Sequence, residues 1–124
     1  DRRMLEAVLE VVPSGVRVSV DANAGWTRPQ ALEMAPWLAA RGIDHLEQPL
    51  APDDLEGLAA LHEQRALPVH VDEGCRDSAD LLRLAGRAAG INIKLMKCGG
   101  PSEALRMIHA ARARGLSVML GCYG

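Results

Sequence analysis

The sequence lacks several things that would each have pointed elsewhere. No stretch approaches the roughly 20 apolar residues needed to cross a bilayer, and the start Asp1-Arg2-Arg3, followed by an amphipathic run, is not built like a signal peptide. There is no basic cluster, and the formal charge is −2, so neither nucleic acid nor an anionic membrane surface is an expected partner. A small-molecule substrate fits better. The three cysteines, Cys75, Cys98 and Cys122, are odd in number and show no CxxC spacing, which argues against a disulfide framework and for a reducing compartment. Zinc at these thiols competes with the simpler reading of small buried side chains. No linker or low-complexity segment interrupts the chain. The expectation is a soluble, cytoplasmic protein with one modest core, since 48% of its 124 residues are hydrophobic.

Lysine is the scarcest basic residue. Of 14 basic side chains only Lys94 and Lys97 are lysines, and they lie three apart. Arginine stays protonated, whereas a lysine can lose its proton and act as a base, so a chain this biased towards arginine retains lysine where arginine does not serve.

Read for periodicity, amphipathic helices alternate with short β-branched runs. Helices are expected from Arg2 to Val12, from a Thr27 cap to Arg41 with a kink at Pro36, from Pro52 to Gln64, from a cap at Asp77 or Ser78 to Ala88, and from Pro101 to about Arg114. Between them, strands are expected at Val16 to Asp21, Ile43 to Glu47, Val69 to Asp72, Ile91 to Lys94 and Leu116 to Leu120. Such alternation implies a parallel sheet with crossover helices, either doubly wound or closed as a barrel.

Two patterns favour the barrel. Asp21, Glu47, Asp72 and Lys94 end four successive units at spacings of 26, 25 and 22 residues. Stepping back by two from these ends gives Arg17, Ser19, His45, His70 and Asn92, while Val18, Val20, Leu46, Val71 and Ile93 fall between them. A doubly wound sheet is covered on both faces and is apolar on both, so a polar face on parallel strands suggests a barrel lumen. Chemistry in barrels sits at the carboxyl ends of the strands, where the four ionisable residues fall.

Three carboxylates brought together repel, and a divalent cation is the usual remedy. Hard oxygen donors in this number suit Mg²⁺, or Mn²⁺, rather than zinc. The competing reading makes them helix caps or arginine partners. Lys94 on the next strand is then a candidate general base, because a nearby dication and partial burial both disfavour its ammonium form. Lys97, past the strand end, is expected to be structural. A metal beside a lysine base is what removal of the proton next to a carboxylate requires, since the resulting ene-diolate carries charge on oxygens that a cation can hold. His45 and His70 read as hydrogen-bonded residues of the polar face, His62 and His109 as helix residues, and Trp26 either lines a pocket or covers the core.

The segments Val20-Asp21-Ala22-Asn23, Leu46-Glu47-Gln48-Pro49, Val71-Asp72-Glu73 and Ile91-Asn92-Ile93-Lys94-Leu95-Met96-Lys97-Cys98-Gly99-Gly100 resemble the barrel domain of the enolase superfamily, muconate-cycloisomerase subgroup. The resemblance implies Mg²⁺ on Asp21, Glu47 and Asp72, with Lys94 as one of two acid/base catalysts. By their proximity to these motifs, the resemblance implies that Asn23, Glu73 and Asn92 stand behind the metal ligands and orient them, with Lys97 beside them or towards the substrate. Ile-Lys-Leu-Met-Lys before Gly-Gly, and the final Met-Leu-Gly-Cys-Tyr-Gly, are most similar to dipeptide epimerases, which implies a dipeptide substrate such as Ala-Glu. A muconate cycloisomerase or an N-acylamino-acid racemase/o-succinylbenzoate synthase is the alternative.

A different class is a non-catalytic metal- or anion-binding barrel fragment, with Gly99-Gly100 before a helix as the anion cradle. On the resemblance, residues 1–124 are part of the C-terminal barrel domain of a parent that is compatible with a homo-oligomer. A barrel of this type takes about 250 residues. The partner lysine, the flanking strands and the N-terminal capping domain are therefore expected outside these residues. Five strands alone leave two open apolar edges, prone to aggregation, and are not expected to epimerise without the second base.

Overall fold

The computed structural model describes residues 2–123; Asp1, and Gly124 at the end of the last motif, lie outside the described residues. The elements run α1 (Arg2–Val11), β1 (Val20–Asp21), α2 (Arg28–Ala39), β2 (Leu46–Glu47), α3 (Leu55–Gln64), β3 (Val69–Val71), α4 (Leu81–Leu84), β4 (Gly90–Lys94), α5 (Leu95–Cys98), α6 (Pro101–Arg112) and β5 (Ser117–Gly121). All four strand pairs are parallel, and the sheet order is β1-β2-β3-β4-β5.

That order decides between the two architectures left open above. A doubly wound sheet reverses its strand order at a switch point, whereas here each crossover steps to the next neighbour in the same direction. Right-handed crossovers that never reverse stack their helices on one face. The result is an incomplete (β/α) barrel wall of five strands. The apolar strand residues follow it: Leu46, Val71, Ile91 and Ile93 are buried in the core with Leu38, Leu61, Leu81, Leu84 and Met107, and Val18 and Val20 pack against it.

The helices are held at their ends by local chemistry. Thr27 N donates to Gln30 Oε1 at 2.9 Å, the return half of a capping box, and Pro29 occupies the first turn of α2, where its missing N–H costs nothing. Asp54 caps α3 by accepting from Gly57 N at 2.9 Å, and the same carboxylate receives Arg28 Nη2 at 2.5 Å. The paired glycines Gly99 and Gly100, at φ +90 and +130, make the tight turn between α5 and α6 that residues with a Cβ rarely enter.

Two expectations need correction. The helix foreseen from Asp77 to Ala88 shrinks to Leu81–Leu84. Asp77 Oδ1 accepts from Ala79 N and Asp80 N at 2.9 and 3.3 Å, which holds the lead-in as a turn, and Gly86 at φ +74 ends helical geometry at the other side. The segment after Lys94 forms a helical turn, α5. The strands are also shorter than foreseen, although Asp44 N still donates to Val18 O at 2.8 Å and Val20 N to His45 O at 3.2 Å ahead of the registered pairs. No helix among the described residues is long and apolar enough to cross a membrane.

Candidate active site

Parallel strands in sequential order bring their carboxyl ends side by side. Asp21 and Glu47 are register partners, Asp72 directly follows β3, and Lys94 closes β4. Glu47, Asp72 and Asn92 are buried, Lys94 is mostly covered, and Asp21 is exposed.

Asp21 and Glu47 are each held by the protein through one oxygen, and Asp72 through both. Asn23 N donates to Asp21 Oδ1 at 2.9 Å across a turn in which Asn23 and Ala24 have positive φ. Asn92 Nδ2 donates to Glu47 Oε1 at 2.7 Å. Lys97 Nζ donates to Asp72 Oδ1 at 2.5 Å, and Lys94 Nζ takes the other oxygen, Oδ2. Both lysines reach one carboxylate because Lys94 caps α5 and Lys97 lies one helical turn on, so the two amines share a side.

Facing Asp72, the Lys94 ammonium is favoured: their hydrogen bond raises its pKa, outweighing burial, with Glu47 and Glu73 adding attraction, so the expected lowering rests on the dication. Burial pushes the Asp72 carboxyl up, but the hydrogen bonds from Lys94 and Lys97 prevail and hold it below its ordinary value. The pair is therefore ionic in this structure, and Lys94 becomes available as a base only when Asp72 is otherwise neutralised.

The expected gathering of the three carboxylates is met only in part. Asp72 turns to the two lysines and Glu47 to Asn92. Among the described residues no three His, Cys, Asp or Glu side chains are grouped closely enough to hold a metal ion. Like charges drive carboxylates apart, and ammonium groups supply the local neutralisation. The donor chemistry still fits a hard cation. Asp21, Glu47 and Asp72 offer only oxygen donors, and Asn92 Oδ1 is buried without a hydrogen-bond partner among the described residues. The thiols do not make a zinc site: Cys75 is buried, which pushes it up to about 12, Cys98 Sγ lies 3.5 Å from Gly100 O, and Cys122 is exposed.

Glu73 follows Asp72, and its Oε2 is buried without a hydrogen-bond partner among the described residues. On the same polar face, below the strand ends, the rings of His45 and His70 lie 4.5 Å apart, in keeping with structural roles. His62 is half-buried on α3 and His109 exposed on α6. An apolar cavity of about 440 Å³ opens beside Asp21 between α1 and β1, lined by Met4, Leu5, Val8, Val18, Trp26 and Leu38. Trp26 thus does both things expected of it, lining this cavity and packing on the core.

Two contributors escaped the sequence reading. Gln48, 5% exposed and at φ +32, accepts from Asp72 N at 2.9 Å and Gly74 N at 3.1 Å through Oε1, and donates to Leu50 O at 2.7 Å. Its amide replaces the strand backbone where β2 has already turned away. The available signal was a glutamine wedged between a strand end and Pro49, which has no N–H to offer. Tyr123 lies just past β5 with its ring centroid 5.0 Å from Lys94 Nζ, at cation–π range.

Comparison with known proteins agrees with this geometry. The family model described as enolase C-terminal domain-like matches residues 1–124. A hydrophobic dipeptide epimerase from Flavobacteria bacterium (strain MS024-2A) is 49% identical over 98% of this chain and 35% of its own. An L-Ala-D/L-Glu epimerase from Bacteroides thetaiotaomicron is 42% identical over 98% and 32%. A dipeptide epimerase from Enterococcus faecalis V583, solved with Mg and the dipeptide L-Leu-L-Tyr, superposes with a TM-score of 0.91 at 38% identity, over 96% of this chain and 34% of that one. The chain spans about a third of the length of the curated relatives it matches. A sequential parallel sheet, ionisable strand ends and a family match along its whole length lead to one conclusion: the chain belongs to the enolase C-terminal domain-like family.

Proposed function

We propose that the protein containing this barrel segment is a dipeptide epimerase, which inverts an α-carbon next to a carbonyl or carboxylate group by removing and returning its proton. The observation that carries this is the partly buried Lys94 ammonium on Asp72, at the carboxyl end of a sheet whose two preceding strands end in Glu47 and Asp21. The similarity to dipeptide epimerases supports the substrate class.

In this reading Asp21, Glu47 and Asp72 would hold Mg²⁺, with Mn²⁺ as a substitute, Asp21 and Glu47 being oriented through the oxygen that the protein already binds and Asp72 through the one held by Lys97. A bound cation supplies positive charge to the substrate oxygens as the α-carbon loses its proton. Lys94 Nζ, released from Asp72, takes that proton on one face. The second base, on the opposite face, is supplied from outside these residues. Asn92 keeps Glu47 in place, and the Tyr123 ring covers the Lys94 amine and narrows water access to it. Glu73 adds negative charge that helps the ammonium form once the proton has been taken.

The test is deuterium exchange. The full-length protein with Mg²⁺ and an Ala-Glu or Leu-Tyr dipeptide in D₂O is expected to wash deuterium into one α-position, followed by NMR, with loss of optical purity. Retention of both α-protons over many hours at high enzyme concentration would sink the reading.

A further inference from the structure

Lys97 was expected to do no more than support the strand end, yet its surroundings are more specific than that. Its side chain is 7% exposed, and its Nζ donates to three acceptors: Asp72 Oδ1 at 2.5 Å, Asp72 O at 2.6 Å and Asn92 O at 2.8 Å. An ammonium has three N–H groups, so none remains for a substrate. The two carbonyls belong to β3 and β4 beyond their last registered pair, Val71 with Ile91. Lys97 therefore ties the strand ends together where the ladder has stopped. The residues it holds are the ones that matter: Asp72 on one strand, and on the other Asn92, whose amide orders Glu47.

We propose that Lys97 is a positioning residue for the cation site, fixing Asp72 through Oδ1 so that Oδ2, which meets Lys94, would be left for a bound cation, and keeping Asn92 aligned on Glu47. The proposal rests on the metal reading given above, and it deepens it by assigning the second lysine. Compactness explains why lysine serves here. A guanidinium is planar and forked, and it cannot direct three bonds from one atom to acceptors on two strands.

A purely electrostatic role makes the opposite prediction. As a fixed positive charge beside a cation, Lys97 would repel it, and neutralising the side chain would tighten metal binding. As a positioning group, its loss leaves Asp72 free to rotate and weakens binding despite the relief of repulsion.

The experiment is Mn²⁺ binding by electron paramagnetic resonance, with Mg²⁺ in competition, on the full-length protein and its Lys97→Met and Lys97→Arg variants. Circular dichroism checks that each is folded. Lys97→Met is expected to weaken Mn²⁺ binding about 10-fold or more, the range for groups that orient metal ligands. Unchanged or tighter binding by this variant overturns the proposal.

Should Lys97→Met fail to fold, Lys97→Arg decides alone, because it keeps the charge and loses the geometry. Several-fold weaker binding supports positioning, and unchanged binding refutes it. If the unmodified protein binds no Mn²⁺ or Mg²⁺, the metal reading fails and takes this proposal with it. If the unmodified protein binds and both variants match it, this proposal fails alone.

Discussion

The polar face of the sheet has two ends, and they are stabilised by opposite means. At the amino end Arg17 pairs with Asp44 at 2.7 Å, Asp44 meets His45 Nδ1 at 3.0 Å, the His45 and His70 rings lie 4.5 Å apart, and His70 Nε2 is hydrogen-bonded to Ser117 Oγ at 2.9 Å. Burial pushes His70 below its ordinary pKa, with His45 adding to the shift and Asp44 opposing it, so the His70 ring favours its neutral form. At the carboxyl end Asp72 is also buried, yet it stays ionised because two ammonium groups face it. Burial decides where no opposite charge is at hand, and pairing decides where one is. The amino end therefore braces the wall, and the carboxyl end holds charge in readiness.

The sharpest way to break this contrast is to remove one polar group from each end. In the full-length protein, Lys94→Met is expected to slow α-proton exchange on one face by about 10²- to 10⁴-fold, the usual contribution of a positioned base. His70→Gln should leave kcat within a few-fold. Equal losses from both, measured by NMR in D₂O, would erase the distinction.

Two glycines sharpen it further. A Cβ on Gly121 would come within 2.6 Å of Asn92 Oδ1 and push the amide off Glu47. Gly121→Ala is thus expected to cost about 10-fold in metal affinity by titration, with the melting temperature little changed. A Cβ on Gly90 would collide with Ser117 Oγ and the His70 ring. Gly90→Ala should instead destabilise the fold by about 1–3 kcal/mol, as overpacking does, read from denaturant unfolding.

The smallest effect concerns pH. The hydrogen bond from Arg17, helped by that to His45, lowers the Asp44 carboxyl to about 2 from its ordinary 3.8. A carboxyl whose pKa falls on folding contributes stability above its unfolded value and loses it as pH drops through the folded one. The stability difference between the unmodified protein and Arg17→Ala should therefore be constant above about pH 5 and shrink between roughly pH 4 and 2, followed by thermal melts. A difference that persists at pH 2 would place the Arg17 contribution in packing rather than charge.

Much of this was legible in the sequence because two periodicities reinforced one another. Alternating polar and apolar residues along each strand, such as His45 against Leu46 and His70 against Val71, set the faces, and spacings near 25 residues set the strand ends. What escaped had short-range causes that compete with periodicity. The Asp77 side chain captured N–H groups that a longer helix would have used, so α4 is one turn. Lys97 reaches Asp72 because the turn of α5 carries it back over the strand end, a local turn that strand spacing does not specify. The pKa direction of Lys94 depended on which carboxylate oxygen its amine meets, which no linear pattern specifies.

The Gln48 amide has a consequence for how this protein can vary. By bonding to Asp72 N and Gly74 N, it anchors the loop that carries Asp72 from a point only one residue past Glu47. The hydrogen bonds that aim that carboxylate therefore start at the strand end itself, and substitutions in the Ala51 to Asp53 stretch are expected to leave them in place.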